Sequence, residues 1–151
     1  MADLLRFHVR VYARPEVLTA DRPRQLGPIQ ITPLLAAQSE LLSSWPITFD
    51  EAAERLSQLP RMFLEPDGSF VWVAPSEPAW QIDGVLYDRG PKLAYVELRG
   101  SCEAGALNEL LSALGWPHTP LVFELVNEAI LLSEEDFRRV AIQPVGLPPQ
   151  A

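Results

Sequence analysis

Between Trp80 and Gly100 the chain reads WQIDGVLYDRGPKLAYVELRG, and the alternation in this stretch leaves few folds open. Trp80, Ile82, Gly84 and Leu86 fall on one side of an extended segment, and Gln81, Asp83, Val85 and Tyr87 on the other, because successive strand side chains point to opposite faces. Beyond the turn-forming Asp88-Arg89-Gly90-Pro91, Ala94, Val96 and Leu98 repeat the apolar side and Tyr95, Glu97 and Arg99 the polar one. The stretch is therefore expected to be a β-hairpin with one face on a core and the other in water, as an antiparallel pair permits. Two registers fit. One sets Asp83 opposite Glu97, and the other sets it opposite Arg99 while bringing Tyr87 beside Tyr95; like charges facing each other are destabilising, which favours the second.

Other periods surround this hairpin with strands and helices. Leu5, Phe7, Val9 and Val11 alternate with Arg6, His8 and Arg10, a first strand with its basic side outward. Residues 13–28 show no period and read as a long surface loop. Thr32-Pro33 has the form of an N-cap followed by proline. With Leu34, Leu35, Leu41, Leu42 and Trp45 near one helical face, it predicts a helix that Trp45-Pro46 ends. Thr48 and Glu51 have capping-box spacing ahead of the stripe Ala52, Ala53, Leu56 and Leu59. Met62 to Leu64 and Phe70 to Val73 flank Glu65-Pro66-Asp67-Gly68 as a second hairpin. The run Phe70-Val71-Trp72-Val73 is apolar throughout, so that strand is expected to be covered on both sides.

Ala106, Leu107, Leu110, Leu111 and Leu114 trace a further helix, stopped by Gly115 and Pro117. Leu121 to Leu125 and Ala129 to Leu132 read as two strands or one bent strand. Ser133 and Asp136 then offer a capping box, with Leu132 and Phe137 as a hydrophobic staple, for a short final helix.

Together these predict a single α+β domain over residues 1–151. It has two layers: a mostly antiparallel sheet of about six to eight strands and helices packed on one of its faces. The order of elements, with Leu56-Ser57-Gln58-Leu59 echoed by Leu111-Ser112-Ala113-Leu114, also admits an internal duplication of a ββαββ unit, residues 1–75 and 76–142.

Composition bounds the function. A net charge of −8 disfavours phosphate backbones and anionic bilayers, so neither nucleic acid nor membrane is an expected partner; an acidic surface suits solubility first and would also suit a basic protein partner. One cysteine cannot form an internal disulfide, and the first residues have no uninterrupted apolar stretch of signal-peptide length; a cytoplasmic protein is expected. Fifteen prolines, about twice the usual share, point to stiff connections.

No motif specifies a reaction. Gly100-Ser101-Cys102-Glu103-Ala104-Gly105 lacks the lysine and spacing of a phosphate-binding loop, and His8 and His118 stand outside any metal-ligand spacing, so no cofactor or metal is called for. Cys102, near the start of the 106–114 helix, is conceivable as a nucleophile with His118 or His8 as base, although Glu103 beside it disfavours a thiolate. Asp83, Asp88 and Glu97 can meet on the hairpin's polar face, but solvated carboxylates do not split acid and base roles. Tyr87, Tyr95 and Arg99 among Asp83 and Glu97 have the composition of an interface centre.

Two function classes follow. The first is a non-catalytic interaction or assembly module that binds a partner protein or itself through Tyr87, Tyr95, Arg99, Asp83 and Glu97; an acidic immunity- or inhibitor-like bacterial protein is one version. The alternative is a small-molecule-binding protein or hydrolase with a cleft near Cys102 and His118.

Overall fold

A computed structural model describes residues 4–142 of the chain. Eleven strands and four helices follow in the order β1 Leu4–Ala13, β2 Thr19–Ala20, β3 Arg24–Leu26, β4 Ile29–Ile31, β5 Leu34–Leu35, α1 Gln38–Leu42, α2 Phe49–Ser57, β6 Met62–Leu64, β7 Ser69–Val73, β8 Gln81–Arg89, β9 Lys92–Glu103, α3 Ala104–Ala113, β10 Leu121–Leu125, β11 Ile130–Ser133 and α4 Glu134–Ala141. Nine strands form one sheet in the order β2-β5-β11-β10-β1-β9-β8-β7-β6, every pairing antiparallel, and β3 and β4 form a separate hairpin.

The central hairpin is β8 and β9. Its register sets Asp83 opposite Arg99 and Tyr87 opposite Tyr95, the pairing that avoids facing carboxylates. Gly90 turns the chain at φ +63, a conformation that costs other residues more, and a bulge follows Tyr87. Ile82, Leu86, Val96 and Leu98 are buried, as the alternation requires.

One face of the sheet carries most of the core. Val9 and Val11 of β1 meet Leu98 and Val96 of β9 on one side and Leu125 and Phe123 of β10 on the other. Over this face lie α2, α3 and α4, which bury Ala52 and Leu56, Leu107, Leu110 and Leu111, and Phe137 and Ala141 respectively. The three buried leucines of α3 contribute roughly 5–9 kcal/mol before the entropy of ordering them is counted. Gly84 is the socket for Phe70: a Cβ there would come within 2.5 Å of three of its ring carbons. Thr48 caps α2 through the expected reciprocal box, its hydroxyl accepting from Glu51 N and its own amide donating to Glu51.

The other face is covered only at one end. Between β1 and α2 the chain forms a strap, in which Leu18, Leu34, Leu41 and Leu42 pack on Tyr12, Val122 and Leu131. The strap then returns to the helical side, where Trp45 is fully buried and its indole N–H donates to Leu114 O at 3.0 Å.

Several expectations change. The helix predicted from Pro33 to Trp45 reduces to α1, because Leu34 and Leu35 pair with β2 and, through Leu34, with β11. A sheet edge that needs partners overrides helical spacing. Residues 13–28, expected as loop, contain β2 and β3. The helices expected on one face, α2 and α3, pack there together with α4, and the five-residue α1 lies in the strap. The capping box at Ser133 is half made: Ser133 accepts from Asp136 N, but the Asp136 carboxylate accepts from Thr32 N at 2.9 Å. β7 is covered on one side only, with Phe70 and Trp72 buried and Val71 and Val73 half-buried. Internal duplication is not shown, for β1 of the first segment is inserted between β9 and β10 of the second. The shared leucine words reflect two helices obeying one period.

Candidate functional site

Where the strap ends, the sheet stays open, and register aligns its outward side chains in rows across the strands. One row runs Phe63, Val71, Asp83, Arg99 and His8 from β6 to β1. The next runs Ser69, Val85, Glu97, Arg10 and Glu124 from β7 to β10. A third carries Tyr87 and Tyr95, with Tyr12 packed against Tyr95. All five binding residues read from the sequence, Asp83, Tyr87, Tyr95, Glu97 and Arg99, share this face.

Tyrosines form a stack. Tyr87 lies on Tyr95 with ring centroids 4.5 Å apart and planes 18° from parallel, and Tyr95 leans on Tyr12 at 5.4 Å. The Arg10 guanidinium stands 5.7 Å from the Tyr95 centroid, in cation–π range. Exposure falls along the stack: Tyr87 is 38% exposed, Tyr95 half-buried and Tyr12 2% exposed. Burial, with Glu124 accepting from its hydroxyl at 3.1 Å, pushes the Tyr12 phenol up to about 12, and burial also raises that of Tyr95. Tyr87 is thus an exposed ring on a rigid support, which loses little rotamer freedom on contact with another surface.

Glu97 is the electrostatic centre of the face. It accepts from His8 Nε2 at 2.9 Å and lies 3.4 Å from Arg10 Nε. The His8 hydrogen bond, then that of Arg10, holds its carboxyl below the usual carboxylate range against the opposing effect of partial burial. That direction is opposite to what a general acid at neutral pH needs. Beside Glu97 a hollow of about 440 Å³ is lined by the apolar Phe63, Val71 and Val85 and by the charged Glu65, Asp83, Glu97 and Arg99. Phe63 is 64% exposed, which is unusual for a phenylalanine in a strand. A larger depression, about 690 Å³, opens beside Trp80, with Glu77 as its only titratable wall.

The other sequence candidates lie apart from this face. Cys102 points into the core from β9, opposite Leu5, fully buried, and burial pushes its thiol up to about 12. It is protonated at neutral pH and closed to solvent, the reverse of an activated cysteine. His118 is exposed in the loop before β10. Asp88 is exposed beyond the bulge and separate from Asp83 and Glu97. Among the described residues no three of histidine, cysteine, aspartate and glutamate gather closely enough to hold a metal ion, and no helix is long and apolar enough to cross a membrane.

No protein-family model, curated protein or solved structure matches the chain significantly. The functional reading therefore rests on the face itself. Phe63, Val71, Val85, His8, Arg10 and Tyr12 also belong to this face, and the sequence did not assign them to it. The signal for the last three was the alternation of β1, which puts Arg6, His8, Arg10 and Tyr12 on one side.

Proposed function

We propose that the protein is a cytoplasmic, non-catalytic interaction module that docks a partner protein on the open face of its sheet. The observation that carries this reading is the supported Tyr87 ring beside the hollow that Phe63 lines. A rigid exposed aromatic next to an apolar recess with a charged rim is how interface hot spots are built. Three carboxylates, Glu65, Asp83 and Glu97, line that hollow against one guanidinium, Arg99, and the chain as a whole carries −8. Charge complementarity therefore selects a partner that presents a basic side chain flanked by apolar ones, and the overall field speeds the encounter.

Affinity capture from the native cell supplies candidate partners, and titration of each purified pair supplies the test. Tyr87→Ala is expected to weaken binding at least 30-fold, about 2 kcal/mol, the scale of a hot-spot aromatic. Asp83→Asn is expected to weaken it less and to reduce its salt dependence. Partners that bind Tyr87→Ala and Phe63→Ala as tightly as wild type would overturn the proposal.

A further inference from the structure

A second hollow, about 460 Å³, adjoins the docking face where β1 and β9 meet the β10–β11 turn, and its charge is of the opposite sign. Arg6, His8, Arg99, Ser101 and Asn127 supply its polar side chains, and no carboxylate lines it. The register explains how they converge: Arg6 stands opposite Ser101 and His8 opposite Arg99, so the two arginines are diagonal neighbours on paired strands. Asn127 is brought up by the hydrogen bond from Val126 N to His8 O at 3.0 Å.

Nearby acids form no ion pair with these two arginines among the described residues. Glu97 is engaged by His8 and Arg10, and Asp83, although opposite Arg99, accepts instead from Gln81 Nε2 at 2.8 Å. Glu103, further along β9, makes no ion pair among the described residues, and neither do Arg6 and Arg99. The side chains of Ser101 and Asn127 likewise make no hydrogen bond among the described residues. Two like charges on adjacent strands repel, and among the described residues neither arginine is held in an ion pair, although Asp83 stands opposite Arg99. Guanidinium forks, a hydroxyl and a carboxamide are the donors that oxyanions take.

We infer that this hollow is an oxyanion site, in which Arg6 and Arg99 clamp a phosphate or carboxylate group and Ser101 and Asn127 complete its hydrogen bonding. A free phosphoryl compound and the carboxylate of a docked protein share this chemistry. The inference does not depend on the docking proposal, because the free protein and a small anion suffice to test it.

The test is a titration of the isotope-labelled protein with sodium phosphate, with sodium acetate and with sodium chloride, at matched pH and ionic strength, followed by the amide signals of Ser101 and Asn127 and the Nε–H signals of Arg6 and Arg99. Saturating shifts with phosphate, with acetate, or with both support the site, and the anion that saturates at the lower concentration tells a phosphoryl ligand from a carboxylate. Arg6→Gln and Arg99→Gln, both at exposed positions, are each expected to weaken binding at least tenfold while the remaining spectrum is preserved. Shifts that stay linear and equal those of chloride would overturn the inference, as would saturation that both variants leave unchanged.

Discussion

Gly84→Ala tests the packing on which the open face depends. Phe70 is 3% exposed and its ring lies over Gly84 across the β7–β8 pair. A new Cβ would sit within 2.5 Å of Cε1 and Cε2 and closer still to Cζ, whereas carbon atoms rest at about 3.5–4.0 Å, so the ring must retreat by at least about 1 Å. In a close-packed interior that retreat displaces further side chains, and overpacking of this kind costs about 1–3 kcal/mol. Alanine returns about 0.4–1 kcal/mol by restricting the unfolded chain. The net expectation is a loss of about 1–2 kcal/mol, which for a domain of this size lowers Tm by roughly 2–8 °C. Urea unfolding of a double-mutant cycle with Phe70→Leu measures it, because the shorter side chain removes the atoms that clash. In that background Gly84→Ala should be neutral or stabilising. Equal cost in both backgrounds, or no cost in the single variant, would refute the socket.

Other outcomes follow from the titrating groups. Because the Glu97 carboxyl is lowered on folding, the unfolded chain binds the extra proton in acid; its contribution is present above the ordinary carboxylate range and is lost as pH falls through the lowered value. Glu97→Gln should therefore flatten the acid limb of stability against pH in urea melts, and an identical slope would refute the role given to His8 and Arg10. Glu51 and Asp67, lowered by hydrogen bonds from the Thr48 and Ser69 amides, make the same kind of contribution in both proteins, so the difference between them is the readout. Cys102 should react with a thiol reagent at pH 8 only as fast as the fold opens, and at once in denaturant; labelling of the native protein within seconds would contradict its burial.

Much of the site was legible because a hairpin is local. Charge alone selected the register that pairs Asp83 with Arg99, and that register delivered the Tyr87–Tyr95 stack. Arg10, His8 and Tyr12 belong to the same cluster, but they come from a strand some 85 residues away, and the alternation of β1 names no partner. Val71 and Val85 escaped for another reason: an apolar run looks alike whether its second side is covered or left open. Cys102 drew notice through its place near the start of α3, yet β9 continues through it and turns the thiol inward.

Taken alone, the amino-acid order determined which residues of β1 and of the central hairpin face inward, where α2 and α4 begin and how the central hairpin pairs, because these depend on neighbours within a few positions. Tertiary structure decided that β1 lies between β9 and β10, that Leu34 and Leu35 extend instead of coiling, and that the strap covers Tyr12 while Tyr87 stays in water. Those outcomes depend on which distant surfaces bury each other most completely, and a local period does not record that competition.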